Sequence, residues 1–177
     1  MTYKEKLIAW NSTEKYRKEL DFLYALMDVK CGHTILDFGC GIMTAVNNFN
    51  ARGEAFIYGY DVEEYGEQED YHLYDREIKK KYNTIYFNHS IAHIKDPIKT
   101  LRALRTNLSD EGKIVIVTPN LEWLDKGYRG DNTVVRHYDI VQLILLVQEA
   151  GYNVELSGQF GETRGTINER IFIITKP

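Results

Sequence analysis

Few folds can accommodate a chain that reads Ile35-Leu36-Asp37-Phe38-Gly39-Cys40-Gly41 and then, shortly after, Ile57-Tyr58-Gly59-Tyr60-Asp61. A short apolar run ends in an acid and a Gly-x-Gly turn. A second apolar run ends in another acid. In an open parallel sheet, this pattern brings a backbone loop and a carboxylate to the carboxyl edge of neighbouring strands, where a nucleoside can be held. Glycine permits positive φ and lets a ligand approach the main chain without a Cβ in the way. The helix that follows presents free N–H groups and a partial positive charge. Asp61, at a strand end, can accept hydrogen bonds from both hydroxyls of a ribose. A Gly-x-Gly pair alone equally fits an ordinary strand-to-helix turn. The acids on either side are what point to a ligand.

The rest of the chain alternates in the same way. The first thirty residues read as helix, with Tyr16, Leu20, Leu23, Tyr24 and Met27 on one stripe and Asn11, Ser12 and Thr13 as caps. Strands are expected over 34–38, 55–60, 84–88 and 113–118, with a short one over 71–74. Helices are expected over 44–50, 97–108 and 139–150, with a helix or turn over 75–81 and a turn at 110–112. Pro97 suits a first helical turn, and Gly151 suits a C-terminal cap. Two final strands, 153–157 and 170–175, have no helical pattern between them and fit an antiparallel hairpin at a sheet edge. Strand–helix alternation implies a parallel sheet.

Composition limits the partners. The 177 residues suit one domain, and 44% hydrophobic content supplies its core. The net charge is −4, and Lys and Arg are scattered. The dense run Lys79-Lys80-Lys81 reads as a solvated helix end, so a nucleic-acid partner is not indicated. Cys31 and Cys40 form no Cys-x-x-Cys pair, which argues against a disulfide framework or zinc ribbon. No signal-peptide pattern or membrane-length apolar run is present, so a cytoplasmic protein is expected.

The Asp37–Gly41 stretch with Asp61 resembles the class I S-adenosylmethionine-dependent methyltransferases. From residue 34 to 177 the chain resembles their type 11-like small-molecule group. The resemblance implies a single-domain, Rossmann-like α/β fold with helices on both faces. Its sheet would be mostly parallel and seven-stranded, in the order 3-2-1-4-5-7-6, with the last strand antiparallel. Residues 1–30 would be a helical cap. The implied cofactor is S-adenosylmethionine. Asp37 would orient its amino group, and Gly39, Cys40 and Gly41 would pass beneath it. Asp61 would hold the ribose, with Val62 against the adenine. Asp75 would face the adenine amino group, with Tyr74 as a ring contact. Asn88, His89 and Ser90 would line the sulfonium. Tyr16 and Arg17 would close over the cofactor, with Arg17 paired to its carboxylate. The family's third glycine is replaced by Met43.

The acceptor side is less specific. His93 matches a histidine of the family. His89 and His93 have zinc-like spacing, but Ser90 stands where a metalloprotease needs glutamate, so no metal is expected. Trp123, Tyr128, Arg129, Arg136, His137 and Tyr138 form either a substrate wall or packing on the sheet edge. His89 and His137 are the candidate general bases. The expected substrate is a small-molecule O or N nucleophile, and a homodimer is one way to complete a shallow pocket.

Three other readings remain. A short-chain dehydrogenase needs Tyr-x-x-x-Lys, which is absent. A nucleic-acid methyltransferase would carry Asn/Asp-Pro-Pro-Tyr where Asn88-His89-Ser90-Ile91 stands. A non-catalytic binding protein of the same fold stays open, because of Met43 and the short middle region.

Overall fold

Thr13 explains why the N-terminal region is two helices rather than one. Its side chain accepts the Tyr16 N–H, ending α1 (Tyr3–Asn11) and starting α2 (Glu14–Leu26). These elements come from a computed structural model, which describes residues 2–65, 73–119, 133–163 and 166–177. No residue of α1 is buried, whereas α2 buries Tyr16, Glu19, Leu20 and Leu23. Only α2 has its apolar residues in helical phase.

The core then alternates. It runs through β1 (Thr34–Phe38), α3 (Thr44–Asn50), β2 (Phe56–Tyr60), β3 (Tyr82–Asn88), α4 (Pro97–Leu104) and β4 (Leu108–Pro119). It ends with α5 (Ile140–Glu149), β5 (Asn153–Thr163) and β6 (Thr166–Thr175). The strand order is β2-β1-β3-β4-β6-β5. β1 to β4 pair in parallel, and β6 runs antiparallel to both neighbours. Tyr16, Val46, Phe49, Ile57, Tyr86 and Val115 pack on the face under α2 and α3. Leu36, Phe87, Leu101, Ile116, Leu143 and Phe172 pack on the face under α4 and α5. Among the described residues, no helix is long and apolar enough to cross a membrane.

The expected α/β architecture is therefore present, with three corrections. Six strands are described, not seven. Of the short strand expected over 71–74, only residues 73 and 74 are among those described, and Tyr74 forms a parallel bridge with Gly59. Asp75 turns the chain away there: its carboxylate accepts the Lys79 and Lys80 N–H groups and the Tyr82 hydroxyl. Next, α4 stops at Leu104, because the chain turns through Asn107 into a strand that already begins at Leu108. Finally, the expected turn at 110–112 is an irregularity inside β4. The register passes from Tyr82 opposite Leu108 to Thr84 opposite Lys113, which leaves extra residues on β4.

Met43, the departure from the glycine pattern, is a core residue. It caps α3 with φ 65° and is fully buried. A left-handed residue other than Gly, Asn or Asp is strained. Gly59 on β2 explains why the strain is tolerated. A Cβ there would lie 2.6 Å from Met43 Sδ and 2.8 Å from Cys40 Sγ. The missing side chain of β2 is the space that Met43 and Cys40 fill. Gly59→Ala is expected to lower stability by about 1–3 kcal/mol through overpacking. Thermal melts should show part of that loss recovered when Met43→Ala is added.

Candidate functional site

The glycine turn and the second acid meet directly. Gly41 donates its N–H to Asp61 Oδ2 at 2.9 Å. Asp61 Oδ1 accepts the Val62 N–H at 2.7 Å. The register explains the meeting: Phe38 pairs with Tyr60 at the ends of β1 and β2, so both loops leave the sheet side by side. Tyr60 also accepts the Gly39 and Cys40 N–H groups on its carbonyl. Gly39 and Gly41 have φ of 90° and 54°, conformations that favour glycine. A Cβ on Gly39 would fall inside the Ser90 side chain, whose hydroxyl donates to the Phe38 carbonyl. The loop after β3 thus braces the glycine turn from below. A Cβ on Gly41 would meet Leu7 of α1 at 3.2 Å. Asn11 of α1 donates to Thr44 Oγ1 at 2.9 Å, at the start of α3. The N-terminal helix therefore lies over the turn.

Beneath the turn, register also gathers a polar cluster. Gly59, Asp37 and Tyr86 are neighbours across β2, β1 and β3, and Asn88 lies two residues further along β3. Asp37 is 3% exposed, and its Oδ1 has no hydrogen-bond partner. Burial pushes its carboxyl up to about 7, the Tyr86 hydroxyl opposes that shift, and Asp61 adds to it. Asn88 Oδ1 is also buried without a partner. Tyr16 of α2 closes the cluster: its hydroxyl bonds the Asn88 side chain and feels the charges of Asp37 and Glu19.

These shifts give a pH prediction. The folded Asp37 carboxyl holds its proton to about 7, against an ordinary 3.8. The fold therefore binds more protons, and this group's contribution declines as pH rises between those values. Asp37→Asn should melt higher than the natural protein at pH 8, with a smaller difference at pH 5. Thermal melts at the two pH values check this.

The structure brings Tyr16, Asp37, Gly39, Gly41, Asp61, Asn88, His89 and Ser90 to one sheet edge. Val62 follows Asp61 and is 85% exposed. Other candidates are committed elsewhere. The Cys40 thiol faces Gly59 in the core, and burial pushes its pKa up, so only its main chain adjoins the turn. Asp75 holds the turn described above rather than an open edge. Arg17 is exposed and donates to the Ser12 carbonyl at 3.5 Å. Tyr138 is buried in the core under α5, so it packs and does not line a wall.

His137 follows Arg136, whose N–H reaches the Ala92 carbonyl. Its Nδ1 is buried and unpartnered, and desolvation and nearby His93 lower its pKa. His93 Nδ1 lies 2.8 Å from Thr133 Oγ1. Trp123, Tyr128 and Arg129, expected to contribute to a substrate wall or to packing, lie outside the described residues. The sequence reading missed Glu19, a buried carboxylate 3.0 Å from His89 Nε2. Its signal was available: position 19 falls within the apolar stripe of Tyr16, Leu20 and Leu23.

Parallel β1 to β3, a glycine turn on an αL cap and a strand-end acid define the nucleoside-holding class of α/β proteins. A family profile described as a methyltransferase domain matches residues 7–157, and the chain belongs to that family. No curated protein sequence matches it at a significant level. Among solved structures it is similar to a SAM-dependent methyltransferase from Aquifex aeolicus, at 15% identity, covering 98% of each chain with a TM-score of 0.74. It is also similar to magnesium protoporphyrin IX methyltransferase from Synechocystis with bound SAH. There the identity is 16%, coverage 100% of this chain and 89% of that one, and the TM-score 0.63. A S-adenosylmethionine-dependent methyltransferase from Clostridium acetobutylicum gives 11% identity, coverage of 97% and 95%, and a TM-score of 0.67.

Proposed function

We propose that the chain binds S-adenosylmethionine at the carboxyl ends of β1, β2 and β3 and methylates a small-molecule O or N nucleophile. The observation that carries this reading is the 2.9 Å contact between the Gly41 N–H and Asp61, which joins the turn and the acid into one receptor. The residues present also suit the group chemically. Asp37 Oδ1 and Asn88 Oδ1 are buried acceptors in want of donors, which an ammonium supplies. Asp61 is a carboxylate at a strand end, matched to a diol. Exposed Val62 offers an apolar surface to a base.

When bound, the cofactor supplies an electrophilic methyl group on a positively charged sulfur. The chain's own work is positioning, which provides most of the effect when the attacking atom must lie in line with the bond that breaks. His89 sits at the rim where β3 ends. His93, Arg136 and His137 lie beyond it, on the acceptor side. His137 is held toward its neutral form by desolvation, which suits a proton acceptor. Calorimetry with S-adenosylhomocysteine tests the reading. Saturable, one-site heat is expected, and absence of heat would favour a non-catalytic protein of the same fold.

A further inference from the structure

Methyl transfer as just described leaves one buried charge without a role. Glu19 is 3% exposed on α2. Its Oε1 lies 3.0 Å from His89 Nε2, and its Oε2 has no hydrogen-bond partner. A carboxylate is expensive to bury unless it is paired. His89 supplies the pair. Its side chain is 26% exposed, against 4% for that of Glu19, so the imidazole sits at the rim and the carboxylate behind it. His89 also has φ 60°, a left-handed conformation that is uncommon outside glycine and to which histidine is better suited than most residues. Chain segments seventy residues apart thus converge on one ring in a set orientation.

Resting on the proposed methyl transfer, we infer that Glu19 is a positioning residue that holds His89 as the proton acceptor, and that the methyl acceptor is a weakly acidic hydroxyl of phenol or enol type. A carboxylate only accepts hydrogen bonds, so the ring nitrogen facing it carries the proton, and a neutral His89 then has its lone pair on Nδ1. The acceptor class follows from what such a base is good for. A carboxylate nucleophile is already ionised at neutral pH. A hydroxyl with a pKa of about 10, the value of a free phenol, keeps its proton and must lose it during attack. An imidazole backed by a carboxylate is matched to that transfer.

The step balances. The hydroxyl proton passes to His89 while the oxygen forms its bond to the methyl carbon. The carbon–sulfur bond breaks, and its electron pair stays on sulfur, which becomes neutral. The imidazolium rests against the Glu19 carboxylate and later releases its proton to solvent. Other titratable groups around the pair are Tyr16 on α2, Asp37 on β1 and Tyr86 on β3; burial and neighbouring charge push all three pKa values up.

The test uses the full chain. The His89 ring is titrated by NMR in the natural protein to fix its midpoint. That midpoint should fall by about one unit in Glu19→Gln, the size expected when a close opposite charge is removed, and return in part in Glu19→Asp. Turnover, read as S-adenosylhomocysteine release, should appear with phenols and drop at least about tenfold in Glu19→Gln, while S-adenosylhomocysteine affinity by calorimetry is unchanged. An unmoved His89 midpoint in a folded Glu19→Gln variant overturns the inference. Release with amines or carboxylates but not phenols also overturns it. Failure of the natural protein to bind S-adenosylhomocysteine overturns the methyltransferase reading itself, and the inference falls with it.

Discussion

Asp61→Ala is expected to weaken S-adenosylhomocysteine binding by at least about a hundredfold, since each hydrogen bond to a charged group contributes about 1.5–3 kcal/mol and a diol makes two. The same change removes the acceptor of the Gly41 N–H, so the turn loses its tie to β2. Asp61→Asn keeps one acceptor oxygen and should lose about tenfold, as one such bond predicts. Calorimetry reads both values. Burial already pushes the Asp61 pKa up, so its charge is held against a desolvation cost. Melting temperature is therefore expected to change far less than affinity. Comparable losses of affinity in Asp61→Ala and Asp75→Ala would contradict this assignment, because Asp75 serves a turn away from the glycine loop.

Met43→Gly should destabilise the protein by about 1–4 kcal/mol, although it restores the family's usual glycine. Two effects oppose each other. Glycine relieves the φ of 65°, a gain of about 1 kcal/mol. It also empties the space opposite Gly59, where a fully buried methionine now packs, and core truncations of this size cost about 2–5 kcal/mol. The cavity dominates. For a chain of this length the melting temperature should drop by roughly 2–16 °C. Affinity for S-adenosylhomocysteine should be nearly unchanged, because the side chain lies under β2 and not in the turn. A stabilised Met43→Gly variant would show that the methionine is tolerated rather than used.

Much of the fold was legible because local signals agreed with one another. β1 and α3 fall where the apolar run and the glycine turn place them, since alternation, turn and cap all specify the same boundary. The final antiparallel pair was legible from the lack of any helical pattern between its strands. Errors arose where tertiary contacts decide. Asp110 to Gly112 look like a turn, yet they are the extra residues of an irregularity inside β4, whose pairing with β3 passes from Leu108 to Lys113. After Tyr74 the chain is turned by the Asp75 carboxylate, which captures three partners, and pattern alone does not reveal this.

The site followed the same rule. Asp37, the two glycines and Asp61 could be read because strand ends fix their position. Tyr138 looked like part of a wall, but it begins the approach to an apolar helix and is pulled into the core. Glu19 could have been found from helical phase. Its partner His89 could not, since a contact across seventy residues leaves no local trace.

The amides of Gly39, Gly41 and Val62 test the central claim most directly. Titrating 15N-labelled protein with S-adenosylhomocysteine should shift all three together, saturably and with one dissociation constant, while the Gly53 and Gly151 amides stay still. Saturation with those three amides unmoved would place the ligand elsewhere and contradict the account.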